Sequence, residues 1–255
     1  MFWGVKFIFD SCVFILYIFK GVKILLEVSN ISFSYPNLKA LDNLSMKVDK
    51  NKVVSVIGKR HSGKTTLFKI IAGLIIPDSG NIIYNGKSIL RHRHKFLNSE
   101  IVCIEGYSGL FLGMTVQENI ELGAWHIKDK FLLKKRFDET LDLAPYLKKN
   151  CRKNADKLDD GEKMLTIIAR AIISLPKLVV IDEPTFGLYP DFVDKVLDLI
   201  HRANKDLNIT FLLMQKKVSA AIRVSDWIYE LEDGEIIKVG DRKSFEKFDS
   251  TLASF

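Results

Sequence analysis

Two short stretches carry the chemistry of this chain. The first is Gly58-Lys59-Arg60-His61-Ser62-Gly63-Lys64-Thr65-Thr66, which fits the phosphate-binding pattern G-x-x-x-x-G-K-[ST] without a gap. Glycines let a backbone wrap closely round a phosphate chain. The N–H groups of such a loop, and of the helix that follows it, point at the anion with the positive end of the helix dipole behind them. Lys64 brings a full charge for the β- and γ-phosphates, and Thr65 a hydroxyl suited to Mg²⁺. The second stretch is Leu178-Val179-Val180-Ile181-Asp182-Glu183-Pro184, an apolar run that ends in two acids. Asp182 suits Mg²⁺, through water, and Glu183 can polarise a water that attacks a γ-phosphate. Together the two stretches predict ATP and Mg²⁺ as ligands.

These groups work only if the chain places them on the right elements. Val53-Val54-Ser55-Val56-Ile57 is an apolar, β-branched run that reads as a buried strand. Leu67, Ile70, Ile71 and Leu74 follow at helical spacing. The order strand, glycine loop, helix is what separates a phosphate loop from a glycine-rich turn that happens to hold a lysine. Asp182 and Glu183 end a second strand, and ligands of open parallel sheets sit at the carboxyl ends of strands.

Other elements follow from pattern. Leu26-Glu27-Val28 and Ile31-Ser32-Phe33-Ser34 read as two strands, Pro36-Asn37 as a turn, and Leu41 to Val48 as a further strand, an antiparallel β region ahead of the phosphate loop. Pro77-Asp78-Ser79-Gly80 reads as a turn, Ile82-Ile83-Tyr84 as a strand and Asn85-Gly86 as a hairpin signal. From Val116 to about Leu175 the pattern is helical. Gln117, Glu118, Ile120 and Leu122 open one segment, and Phe131 to Tyr146 forms another with Leu132, Phe137, Leu141 and Leu143 as core residues. Lys148 to Lys157 is a loop or a solvated helix end. Val179 to Ile181 and Ile209 to Met214 are buried strands, and Trp227 to Leu231 pairs with Ile236 to Val239 through Glu232-Asp233-Gly234.

The chain has 255 residues, room for one α/β domain or two small ones, and its 47% hydrophobic content supports a sizeable core. Lys and Arg number 38 against 31 Asp and Glu, a net charge of +7, but the charges are scattered and form no basic stripe with aromatics. No nucleic-acid partner is expected. Three cysteines, Cys12, Cys103 and Cys151, have no metal-ligand spacing and fit a reducing compartment. Phe7 to Phe19 is an apolar run broken by Asp10, shorter than the ~20 residues a span needs and followed by no small-residue cleavage site. It reads as a start placed too early, as a segment that docks on a membrane surface or partner, or as a spanning helix, in that order. Residues 1–22 therefore stand apart from residues 23–245, and 246–255 form a tail.

From about Lys23 to Gly240 the chain resembles the ATP-binding subunit of an ABC transporter, closest in flavour to bacterial importers of branched-chain amino acids or sugars. The phosphate loop and the acid pair carry the likeness. Leu110 to Asn119 matches the stretch that opens the family's helical subdomain, and Gly187-Leu188-Tyr189-Pro190 the segment that meets the partner subunit, with Tyr189 where aspartate is usual. The resemblance implies an α/β fold, a P-loop NTPase (RecA-like) core with an antiparallel β subdomain and an inserted helical subdomain. It implies ATP hydrolysis that drives membrane permease subunits from the cytoplasmic face of the cell membrane. It also implies a head-to-tail homo- or heterodimer with another ABC ATPase subunit. Tyr35 takes the place of the aromatic residue that stacks on adenine. A catalytically weak regulatory subunit and a soluble ABC ATPase outside transport are the alternatives.

Besides Tyr189, the family pattern breaks in four places. Where the family has the signature L-S-G-G-[QE], this chain has Leu158-Asp159-Asp160-Gly161-Glu162. In the family this helix start, here Asp159 to Gly161, meets the γ-phosphate of ATP on the other subunit. Two like unit charges 4 Å apart repel by about 4 kcal/mol at an effective dielectric near 20. An aspartate also caps a helix and takes up the N–H groups a phosphate would use. The chain is therefore expected to be a poor signature donor, best suited to an asymmetric heterodimer. At the switch position Lys216 replaces the usual histidine, and a lysine can pair with phosphate only as a point charge. At the family's glutamine two registers are open, Gly106 or Glu105, of which only Glu105 can reach Mg²⁺ or its water. His61 sits in the phosphate loop where the family commonly has glycine.

Overall fold

The computed structural model describes residues 23–90, 100–107 and 109–246. The apolar N-terminal run, Cys12 and the tail from 247 onward lie outside the described residues. In chain order, the strands β1 (Ile24–Tyr35) and β2 (Leu38–Asp49) form an antiparallel ribbon, followed by β3 (Val53–Ile57) and helix α1 (Lys64–Ile71). Then come β4 (Ser79–Tyr84), β5 (Lys87–Ser88) and β6 (Ile101–Glu105). Three helices follow: α2 (Val116–Leu122), α3 (Lys130–Leu143) and α4 (Asp160–Ile172). The chain closes with β7 (Leu178–Asp182), α5 (Pro190–Leu207), β8 (Thr210–Gln215), α6 (Val218–Val224), β9 (Trp227–Glu232) and β10 (Glu235–Asp241).

The strands make a four-stranded sheet of order β2-β1-β4-β5 and a six-stranded sheet of order β10-β9-β3-β8-β7-β6. The first is antiparallel. In the second, β9, β3, β8, β7 and β6 run parallel and β10 closes one edge antiparallel to β9. Every residue of β3, β7 and β8 is buried, which explains their unbroken apolar runs. Alternate residues feed two cores. Val53, Val179, Ile181, Phe211 and Leu213 join α4 and α5 in one, while Val54, Val56, Val180, Leu212 and Met214 join α1 and the antiparallel sheet in the other.

Several local readings need correction. The two strands read over 26–34 are one, because Asn30 adopts φ 53° and a bulge between Val28 and Ile31 absorbs the irregularity without ending the pairing. Ser79 and Gly80 belong to β4 rather than to the preceding turn, since Ser79 pairs with Ser32. Helix α1 ends at Ile71, so Leu74 is exposed. Leu132 is also exposed, whereas Phe137, Leu141 and Leu143 are buried. Between Lys148 and Lys157 the chain forms the end of one 3₁₀ turn and the whole of another. Strand β6 and helices α5 and α6 were not foreseen. Among the described residues no helix is long and apolar enough to cross a membrane.

Candidate functional site

The strand register assembles the site at one end of the parallel sheet. Ile57 pairs with Gln215, Asp182 with Met214, and Glu105 with Asp182, so four neighbouring strands deliver their last residues to one edge. The phosphate loop springs from Ile57 and leads into α1. Gly63 caps that helix at φ 105°, and a side chain there would strike the Ala40 carbonyl oxygen at 2.6 Å. Only glycine fits both demands. His61 takes φ 67°, which accounts for glycine being usual there, and its side chain is exposed.

Lys64 is buried, and its ammonium folds back over its own loop. It donates to the carbonyls of Gly58 at 2.7 Å and Lys59 at 2.9 Å, with Ser62 Oγ at 3.4 Å. Burial lowers its pKa, an effect that Glu183 and Asp182 oppose. Lys59 and Arg60 are exposed at the loop's outer face, and Thr66 is buried in the helix. Tyr35 ends β1 opposite Leu38, two residues before the Ala40 that backs Gly63, so the turn bearing it lies on the same ribbon that supports the phosphate loop.

The acids lie opposite. Thr65 Oγ1 donates to Asp182 Oδ2 at 3.0 Å, joining the two stretches that the sequence singled out. Asp182 Oδ1 is buried with no hydrogen-bond partner. An orphaned carboxylate oxygen beside a threonine hydroxyl suits a hard cation. Among the described residues no three His, Cys, Asp or Glu side chains cluster as a metal cage, and Mg²⁺ at a phosphate site needs only one or two carboxylates besides phosphate and water. The residues present therefore fit Mg²⁺. Burial raises the pKa of Asp182, against the Thr65 hydrogen bond and Lys64, which lower it. Glu183 is half-buried at φ 54°, with its N–H donating to the Met214 carbonyl at 2.8 Å. Its Oε2 accepts the main-chain N–H of Lys216 at 3.3 Å. The Lys216 side chain is exposed, so the hydrogen bond from this position to Glu183 comes from the backbone rather than from the ammonium. Glu105 lies 3.9 Å from Lys69, and the Gly106 N–H points at the Asp182 carbonyl at 3.4 Å, so both residues that competed for the glutamine register border the acid pair.

A phosphate loop, a threonine on a buried aspartate and a following glutamate form a nucleotide-hydrolysing arrangement. Residues 41–186 match the family model described as ABC transporter. The chain belongs to that family. It is 31% identical over 88% of its length to a probable branched-chain amino acid transport ATP-binding protein, LivF, of Archaeoglobus fulgidus, covering 97% of that protein. It is 29% identical over 84% of its length to the high-affinity branched-chain amino acid transport ATP-binding protein BraG of Pseudomonas aeruginosa, covering 91% of it. Among solved structures, cbiO1 from Clostridium perfringens, part of an ABC transporter complex, superposes with a TM-score of 0.81 at 25% identity, covering 91% of this chain and 94% of that one. An ATP-binding cassette in its ADP conformation gives 0.77 at 26% identity, over 89% and 95%. This ABC chain is accordingly an ATPase with the P-loop α/β fold.

In this ABC ATPase the stretch Leu158 to Glu162 opens α4 with a closed capping box. Asp159 accepts the Glu162 N–H at 2.8 Å, and the Glu162 carboxylate accepts the Asp159 N–H at 3.2 Å. Lys153 and Asn150 hold Glu162 in turn, and Lys163 pairs with Asp160. Gly161 is buried against α5, and a Cβ there would meet Phe192 Cγ at 2.1 Å. G161A is expected to destabilise the chain by about 1–3 kcal/mol through overpacking. Chemical denaturation reads the loss, and the penalty should shrink in an F192A background because the two sites touch. Tyr189 stands at the N-cap of α5, where it makes no side-chain cap bond and is exposed.

Some contacts had no local signal in the sequence. Tyr107 Oη donates to the Phe186 carbonyl and so joins the loop after β6 to the segment after β7. Arg170, inside α4, donates to the Gly109 carbonyl and lies over the Phe111 ring. A lone serine in the apolar run of β3 was the one available hint of a buried network, since Ser55 meets both Gln215 and Ser225. A cleft of about 740 Å³ lies away from the phosphate loop, between β6 and the helices, and Phe68, Glu105, Phe111, Trp125 and Arg170 are among its lining residues.

Proposed function

We propose that this chain hydrolyses ATP to drive an importer at the cytoplasmic face of the cell membrane, with permease subunits as partners and as one half of an asymmetric ATPase pair. The observation that carries the reading is the Thr65 hydrogen bond to Asp182 beside a carboxylate oxygen left without a partner. In this reading the N–H groups of residues 58–66 hold the phosphates and Lys64 supplies their counter-charge. Thr65 and Asp182 hold Mg²⁺, which when bound neutralises the β- and γ-phosphates. Glu183 orients the attacking water and draws its proton. Tyr35 would stack on the base, and Glu105, paired with Asp182 across the strands, would supply a further carboxylate beside the metal site. The names of the two relatives, both in branched-chain amino acid transport, support an amino acid as cargo. The apolar cleft, with exposed Leu74, Phe111 and Trp125 near its mouth, supports a permease segment as the partner that covers it.

Asymmetry follows from the capping box. The Glu162 N–H at this helix start is taken up by the Asp159 carboxylate, and Asp160 sets a second, exposed carboxylate there whose charge Lys163 only partly offsets. A partner with an intact signature would serve this chain's phosphate loop, while this chain returns little. Converting the stretch with D159S and D160G restores L-S-G-G-E and keeps a capping side chain. ATPase of the variant alone should rise at least about tenfold and become cooperative in protein concentration, a fraction of the ~4 kcal/mol repulsion relieved. Turnover of the unaltered chain alone that already equals the variant's, with the same cooperativity, overturns the asymmetric pairing.

A further inference from the structure

We infer that Gln215 is a positioning residue for hydrolysis: its buried carboxamide ties the end of β8 to β3 and so holds the Lys216 main-chain N–H on the Glu183 carboxylate. The inference rests on the reading of Glu183 as the group that orients water.

Gln215 is fully buried and is the last paired residue of β8, opposite Ile57. Its Nε2 donates to Ser55 Oγ at 3.1 Å, and Ser55 Oγ shares a 2.6 Å hydrogen bond with Ser225 Oγ. Ser55 and Ser225 are fully buried as well. Ser225 follows the last turn of α6 and donates its N–H to the Ala221 carbonyl at 2.9 Å. One hydroxyl on β3 thus anchors both ends of the segment from Gln215 to Ser225. Glu183 is held by the residues on either side of Gln215. Its N–H goes to the Met214 carbonyl at 2.8 Å and its Oε2 takes the Lys216 N–H at 3.3 Å. A rotation of the Gln215 peptides would disturb both contacts.

An apolar side chain of the same length would fill this place with less desolvation, and the Gln215 Oε1 is buried without a partner. A directional anchor explains why a carboxamide is there: polar groups inside a core specify geometry where apolar packing tolerates drift. The charged groups that face Glu183 are Lys64 from α1, Asp182 from β7 and Lys216 from the loop after β8.

The test uses the full chain with ¹⁵N-lysine. In the unaltered protein the Lys216 amide should be protected from hydrogen exchange by its bond to the Glu183 carboxylate. Q215M should raise that amide's exchange rate at least about threefold and lower kcat about tenfold with KM for ATP held within about twofold. S55A, which deletes the same hydrogen bond with little change in volume, should do likewise and guards against a folding defect in Q215M. Retained amide protection and an unchanged kcat in folded Q215M or S55A overturn the inference. A folding role alone would lower the melting temperature without separating kcat from KM. If E183Q keeps full turnover, the role of Glu183 fails on its own, while the Lys216 exchange rate still reports on the anchor.

Discussion

Glu183→Gln should lower ATP turnover by about two to three orders of magnitude while Mg-ATP binding stays within about twofold. The carboxamide keeps the size of the side chain and can still accept the Lys216 N–H, so the backbone at φ 54° has no reason to move. What it loses is the ability to draw a proton from water. The nucleotide should become trapped, and single-turnover kinetics beside equilibrium binding separate the two effects. Unchanged turnover would remove Glu183 from the mechanism.

A pH dependence follows from the same residue. Burial raises the Glu183 pKa most, Asp182 raises it further, and Lys64 with the Lys216 N–H pulls it back, leaving a net rise. The acid limb of kcat should then lie above the ordinary glutamate value of about 4.3 and vanish in E183Q. The linkage runs against folding. A carboxylate whose pKa is higher in the folded state binds its proton more tightly there, so its charged form costs stability at pH values above the folded pKa. That cost disappears as pH falls through the folded value toward the unfolded one. Asp182, raised for the same first reason, adds to it. Holding these two acids charged and buried therefore costs the fold some stability.

Lys64→Ala should weaken Mg-ATP binding by at least about a hundredfold, and turnover should fall with it. Charge-assisted hydrogen bonds to phosphate contribute roughly 1.5–3 kcal/mol each, and two of them account for that loss. The same ammonium braces the loop through the Gly58 and Lys59 carbonyls, so the alanine variant loses both a counter-charge and a strut. Lys64→Arg should recover little, since a planar fork cannot occupy the pocket of a compact ammonium that is only 6% exposed. Titration calorimetry with Mg-ATP measures the effect directly, and an unchanged Kd would place the phosphates elsewhere.

The meeting of the phosphate loop with the acid pair was legible because its signals are local. A glycine loop between a β-branched strand and a helical repeat, and two acids ending an apolar run, need no knowledge of the rest of the chain. The capping role of Asp159 was legible for the same reason, since the residue that closes the box sits three positions away. Other features depend on long separations. The Ser55 to Gln215 and Ser55 to Ser225 contacts span 160 and 170 positions, and no periodicity announces them. The Phe192 ring against Gly161 is of that kind. Strand β6 was missed because, at the sheet's edge, its middle residues are only partly buried and its pattern is neither a clean alternation nor a long apolar run. Lys216 was matched to the switch position by counting alone, and counting cannot reveal that the main chain makes the contact.

The way the phosphate loop is backed has a mechanical outcome. Gly63 rests on Ala40 of β2, the Gly234 N–H reaches the Ser62 carbonyl at 3.1 Å, and the Asp42 N–H reaches Gly234 at 3.0 Å. The ribbon with Tyr35, the loop with Lys64 and the β9–β10 turn are thereby bolted into one slab. The block of α2 to α4 is joined to that slab by more than its chain crossings, because Leu165, Ile168 and Ile172 of α4 share a buried core with Val53, Val179 and Ile181 of the sheet. A tilt that swings Asp159 and its neighbours must therefore slide α4 over that core, while the phosphate loop stays bolted to its ribbon.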